Sequence, residues 1–74
     1  DPFYQELIEE KQKFMRKNKE DRQEFFKGLR EQDLPPDKAQ KRMAEFHEKQ
    51  KKKVEKFYSK NREKARKHLE KKRS

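Results

Sequence analysis

An 11-residue spacing of aromatic side chains limits what this chain can fold into. Phe14-Met15-Arg16-Lys17-Asn18-Lys19-Glu20 is echoed by Phe57-Tyr58-Ser59-Lys60-Asn61-Arg62-Glu63. Eleven residues before the first copy stands Phe3-Tyr4-Gln5-Glu6-Leu7, and eleven after it Phe25-Phe26-Lys27-Gly28-Leu29. Phe46-His47 precedes the second copy by the same interval, and His68-Leu69 follows it. Eleven residues make three turns at about 3.67 per turn, close to the 3.6 of an unstrained α-helix. The spacing therefore predicts long, nearly straight or right-handed helices carrying one apolar stripe, with a one-residue slip near the middle of the chain.

On the first helix Phe3, Phe14 and Phe25 fall in line. Tyr4, Met15 and Phe26 lie beside them, and Leu7, Asn18 and Leu29 fall between. Asp1-Pro2 reads as a helix start, because Asp caps free N–H groups and Pro is tolerated at the first helical position. From Phe3 to about Gln32 only Gly28 opposes the helix, at a cost of about 1 kcal/mol relative to Ala. Asp33-Leu34-Pro35-Pro36-Asp37 is the break, since a residue before Pro is driven out of the helical region. The expected organisation is one hairpin over residues 1–74: helix 1 over about 2–32, a Pro-Pro turn at 33–36, and helix 2 over about 36–72. The second stripe reads Met43, Phe46, His47, Gln50, Val54, Phe57, Tyr58, Asn61, Ala65 and Leu69.

So short a connection predicts antiparallel helices. The resulting register sets Phe25 opposite Met43, Arg22 opposite Phe46, Asn18 opposite Gln50 and Phe14 opposite Val54. Asn18 and Gln50 each interrupt a stripe, and as facing partners they would set the register. Charge points the same way. Residues 1–34 hold 8 Lys/Arg and 9 Asp/Glu, whereas residues 35–74 hold 16 and 6. The acidic segment Asp1, Glu6, Glu9, Glu10 would lie against the basic end of helix 2. Ion pairs Glu45–Lys49, Glu48–Lys52 and Glu63–Lys67 have the favourable helical spacing.

Composition bears on whether one chain is enough. Only 26% of the 74 residues are hydrophobic, 53% are charged and the net charge is +9. Such a composition, taken alone, belongs to chains that cannot bury enough apolar surface to fold. There is no cysteine, so no disulfide can supply the deficit. Scaffolds below about 70–80 residues rarely draw 3–5 kcal/mol from a single core. In the pairs Phe3-Tyr4, Phe25-Phe26 and Phe57-Tyr58, adjacent rings are about 100° apart around a helix of 3.6 residues per turn. Only one ring of each pair can enter a two-helix seam, and the other needs a second neighbour. The residues expected at protein interfaces are Phe3, Tyr4, Leu7, Phe14, Met15, Phe25, Phe26, Leu29, Met43, Phe46, Val54, Phe57, Tyr58 and Leu69.

Chemistry is sparse. His47 and His68 are too far apart on one helix to share a metal ion, and no phosphate loop or nucleophile motif is present. Glu9-Glu10 and Glu20-Asp21 diverge around the helix and read as solvated. No catalytic residue, metal or cofactor is expected. Lys49, Lys52, Lys53, Lys56, Lys60, Arg62, Lys64, Arg66 and Lys67 form a basic run that could bind a polyanion. Lys51, Lys52 and Lys53 spread around the helix, and no nucleic-acid motif accompanies them. A helix lying on an anionic membrane surface is a related possibility, but Asn18, Arg22, Gln50 and Asn61 interrupt the stripe. No apolar run approaches the roughly 20 residues that span a bilayer. A first residue other than Met allows either a processed, exported form or a fragment.

Over five residues, Leu34-Pro35-Pro36-Asp37-Lys38 ahead of a basic helix resembles the Leu-Thr-Pro-Glu-Gln turn of small periplasmic stress chaperones. The 11-residue periodicity is similar to that of apolipoproteins and late-embryogenesis proteins. The Phe-led repeat departs from the Leu-rich faces of the former and the Ala/Thr/Lys pattern of the latter. These likenesses imply, at most, a chaperone-like or lipid-surface hairpin. The reading from the residues is a non-enzymatic, all-α helical hairpin that interacts through its aromatic stripe. Its partner would be copies of itself in a bundle or assembly, or another protein. A polyanion-binding helix 2 is the alternative.

Overall fold

The computed structural model describes residues 1–73. Those residues form an all-α helical hairpin of two long helices, α1 over Pro2–Glu31 and α2 over Pro36–Arg73, with no strand among them. Local chemistry accounts for each end. The Asp1 side chain accepts a hydrogen bond from the Phe3 N–H at 3.0 Å, with Pro2 in the first turn where its missing donor costs nothing. At the other end of α1 the Gln32 N–H donates to the Gly28 carbonyl at 3.1 Å. The Asp33 N–H donates to the Arg30 carbonyl at 3.4 Å.

Asp33 makes the reversal. Its φ of 48° lies in the left-handed region. That position after a helix usually belongs to Gly, because an L side chain there costs roughly 1–2 kcal/mol. Asp is among the few residues whose short polar side chain tolerates it. The sequence pattern drew attention to Pro35 and Pro36, but the backbone has already turned when it reaches them. Pro36 then opens α2, and the Ala39 N–H donates to the Pro35 carbonyl at 3.0 Å. Arg42 Nη1 donates to the Gln32 side-chain oxygen, tying the first turns of α2 to the end of α1.

Backbone packing divides the chain into two compact units, with the boundary inside the continuous helix α2 between Ala44 and Glu45. The first unit holds α1, the turn and the opening of α2. On its face Phe3, Leu7, Phe14, Asn18, Asp21, Phe25, Phe26 and Leu29 of α1 are half-buried, as are Leu34, Ala39 and Met43. The second unit is the remainder of α2, where Phe46, Gln50, Val54, Phe57, Asn61, Ala65 and His68 are half-buried. The intervals along that helix run four, four, three and then repeat, which is the 11-residue period. No described residue is fully buried.

Gly28 sits inside α1 without a positive φ, and a Cβ built on it would meet nothing within 4 Å. Neither backbone geometry nor space requires glycine there. Gly28→Ala is therefore expected to stabilise α1 by about 1 kcal/mol, the helix-propensity difference between the two residues. A higher urea midpoint with an unchanged slope would be the corresponding result. A lower midpoint would mean that another surface approaches this position closely.

Candidate interaction site

The aromatic stripe does not lie flat. Adjacent rings meet edge to face: Phe3 and Tyr4 at 5.3 Å between centroids, Phe25 and Phe26 at 5.6 Å, and Phe57 and Tyr58 at 5.9 Å. Phe46 and His47 make a looser pair at 6.3 Å. This is the preferred arrangement for two ring quadrupoles. Tyr4, His47 and Tyr58 are exposed beside half-buried first rings, whereas Phe25 and Phe26 are both half-buried.

Of the residues expected at interfaces, Phe3, Leu7, Phe14, Phe25, Phe26, Leu29 and Met43 of the first unit are half-buried, as are Phe46, Val54 and Phe57 of the second. The other four face solvent, with Tyr4 41% exposed, Met15 56%, Tyr58 37% and Leu69 48%. At the end of α2 it is His68 rather than Leu69 that occupies the half-buried face. The stripe keeps its period there even though its residue type changes. Asn18 and Gln50, the polar residues expected to face each other, are both half-buried on their own helices.

Ile8 was missed at the sequence level and is 52% exposed. Its signal was available. Tyr4, Ile8, Met15 and Phe26 recur at helical spacing and form a second apolar column about a quarter-turn from the first. Beside Phe26, an open groove of about 440 Å³ is lined by Lys19, Arg22, Gln23, Phe26 and Arg30.

Every residue of the candidate polyanion site is exposed: Lys49, Lys52, Lys53, Lys56, Lys60, Arg62, Lys64, Arg66 and Lys67. The structure organises part of this run. Lys49, Lys53, Lys56, Lys60, Lys64, Lys67 and Lys71 keep the same 11-residue period as the apolar stripe, so they line one face of α2. Arg66 stands apart from that line. Its guanidinium bonds both carboxylate oxygens of Glu63 and, through Nη1, Glu70 Oε1 at 2.6 Å.

The Arg66 hydrogen bond holds the Glu63 carboxyl below its ordinary value of 4.5, with smaller help from the charges of Arg66 and Lys67. The same hydrogen bond raises Arg66. Because the Glu63 value is depressed on folding, its contribution is complete above the ordinary glutamate range. It is lost as pH falls through the lowered value. Wild type and Glu63→Gln should therefore differ in helicity at pH 6 and converge as pH falls through the lowered Glu63 value. Far-UV circular dichroism across an acid titration reads this directly, and a difference that stays constant through the whole titration would refute the assignment.

No group of acidic, His or Cys side chains among the described residues could hold a metal ion, and no helix there is long and apolar enough to cross a membrane. Compared with known proteins, the chain matches no family model, no curated protein and no solved structure. The class defined by its fold is the all-α helical hairpin.

Proposed function

We propose that this chain is a non-enzymatic packing module that assembles with copies of itself through its aromatic faces. The observation that carries this reading is the absence of any fully buried residue among those described, combined with exposed Tyr4, Ile8, Met15, Tyr58 and Leu69. Apolar surface left in water is worth about 25 cal/mol per Å² when removed from it. A chain with so little apolar surface gains most by covering what remains against another protein. Self-assembly also supplies what small scaffolds otherwise draw from disulfides or metals.

The test is the solution mass of the chain across a concentration series, read together with its helicity. Both should rise together, and the assembled fraction should hold or grow as salt is added, since burial of apolar surface is not screened. A monomer with full helicity and a sharp cooperative melt at all concentrations would overturn the reading.

The lysine face of α2 favours a second reading, polyanion binding. From Lys49 to Lys71 it extends about 33 Å at 1.5 Å per residue, enough to follow a phosphate backbone or an anionic surface. Binding of that kind weakens steeply as salt rises, with a slope set by the phosphates neutralised. The two readings thus respond oppositely to the same variable.

A further inference from the structure

We infer that the lysine face of α2 lies flat along an anionic lipid surface, with the helix axis parallel to it. This rests on the polyanion reading and narrows it to one face and one partner. Between Lys49 and Lys71 the seven places on this face are all lysine, and all seven are exposed. At 3.6 residues per turn they stay within about 80° of arc, along one side of a rod about 33 Å long. The acids of this stretch, Glu55, Glu63 and Glu70, fall outside the arc. Arg66, off the arc as well, bonds Glu63 and Glu70, so the acids nearest the face are engaged by a base that is not part of it.

The shape of the charge selects the partner. A duplex backbone winds through a full turn in about 34 Å, so a straight row of this length crosses each strand and cannot stay beside one. A bilayer surface is flat over that distance and meets every lysine at once. Within the arc between Lys49 and Lys71 there is no arginine to fork a phosphate and no ring on which a base could stack. Lysines on a helix, as compact point charges, suit an array of anionic headgroups. Copies of the chain, each at +9, repel one another and do not supply the anion. The half-buried stripe of α2 is centred about a quarter-turn away, so lipid contact leaves it available for packing.

The test is cosedimentation of the intact chain with phosphatidylcholine vesicles holding about 30% phosphatidylserine, in about 0.1 M salt, where the Debye length is about 10 Å. One variant carries Lys53→Gln, Lys56→Gln and Lys60→Gln. The control carries Lys51→Gln, Arg62→Gln and Arg73→Gln, which removes the same charge from the opposite side of α2. A lysine at an anionic surface is worth about fivefold in binding, and the effect fades within a Debye length. The helix with its side chains is about 10–12 Å across. The row variant should therefore bind about a hundredfold more weakly, and the control within about threefold of wild type. Arginine at the same three row positions should keep binding near wild type, which separates lost charge from lost folding, with circular dichroism reading helix content. On a DNA duplex of about 30 base pairs the row variant should lose less than about tenfold, because fewer of its lysines reach phosphates.

Equal losses from the row variant and the control overturn the inference and leave the polyanion reading standing. Duplex binding without vesicle binding, or a row variant that loses as much on duplex as on vesicles, does the same. A wild type that binds neither vesicles, duplex nor inorganic polyphosphate overturns both.

Discussion

Phe14→Ala and Phe57→Ala are each expected to destabilise the assembled protein by about 3–5 kcal/mol, the usual loss for a buried phenylalanine. Within one chain both rings are only half-buried, so the loss measured on dilute protein should be roughly half as large, in proportion to the area removed from water. The dependence of the loss on protein concentration is therefore the informative quantity. Urea melts at two concentrations read it. The matching control replaces Lys49, Lys52, Lys53, Lys56 and Lys60 with Gln. Those side chains are exposed, and surface changes away from packed features usually stay within about 0.5 kcal/mol each. On the packing reading the lysine variant should change solubility and salt response and little else. If the phenylalanines prove dispensable and the lysines essential against the same readout, the packing reading is lost and the polyanion reading takes its place.

The second large effect is expected at Asn18 and Gln50. Replacing both with Leu fills the polar notch in each helical stripe and should raise stability by about 1–2 kcal/mol, a fraction of the gain from fully burying a Leu because both sites are only half-buried. The gain should come with a loss of definition. In coiled coils a polar residue in an apolar seam specifies register and copy number at a cost in stability. Sedimentation should show the double variant as a mixture of masses where wild type gives one associating series. Both residues are half-buried on their own helices, so a fully solvated role is already disfavoured. A double change that leaves stability and mass untouched would show that neither amide contributes to packing.

Much of the architecture is legible in the residue order. The 11-residue return of Phe3, Phe14 and Phe25 demands helices, because only a period near 3.6 gathers those rings on one face. The stop is legible in Pro35-Pro36, and the start in Asp1-Pro2. The half-buried face of each helix follows from the same periodicity, including Asn18, Gln50, Asn61 and Ala65, whose residue types alone would not place them there.

Other features depended on three-dimensional arrangement. The left-handed turn at Asp33 is a backbone choice that Asn, Asp or Gly could each serve, so residue type alone could not locate it. Arg66 has acids within helical reach on both sides. Its contacts with Glu63 and Glu70 together depend on side-chain rotamers that spacing does not fix. The exposure of Tyr4, Met15, Tyr58 and Leu69 was also a tertiary matter, because a side chain beside a stripe is covered or left in water according to what packs next to it. The helices, their length and the period of their apolar faces follow from residue order alone, because local sterics and spacing fix them. Which apolar side chains stay in water depends on how much of each face its neighbours cover, and that is set only when the chain has folded.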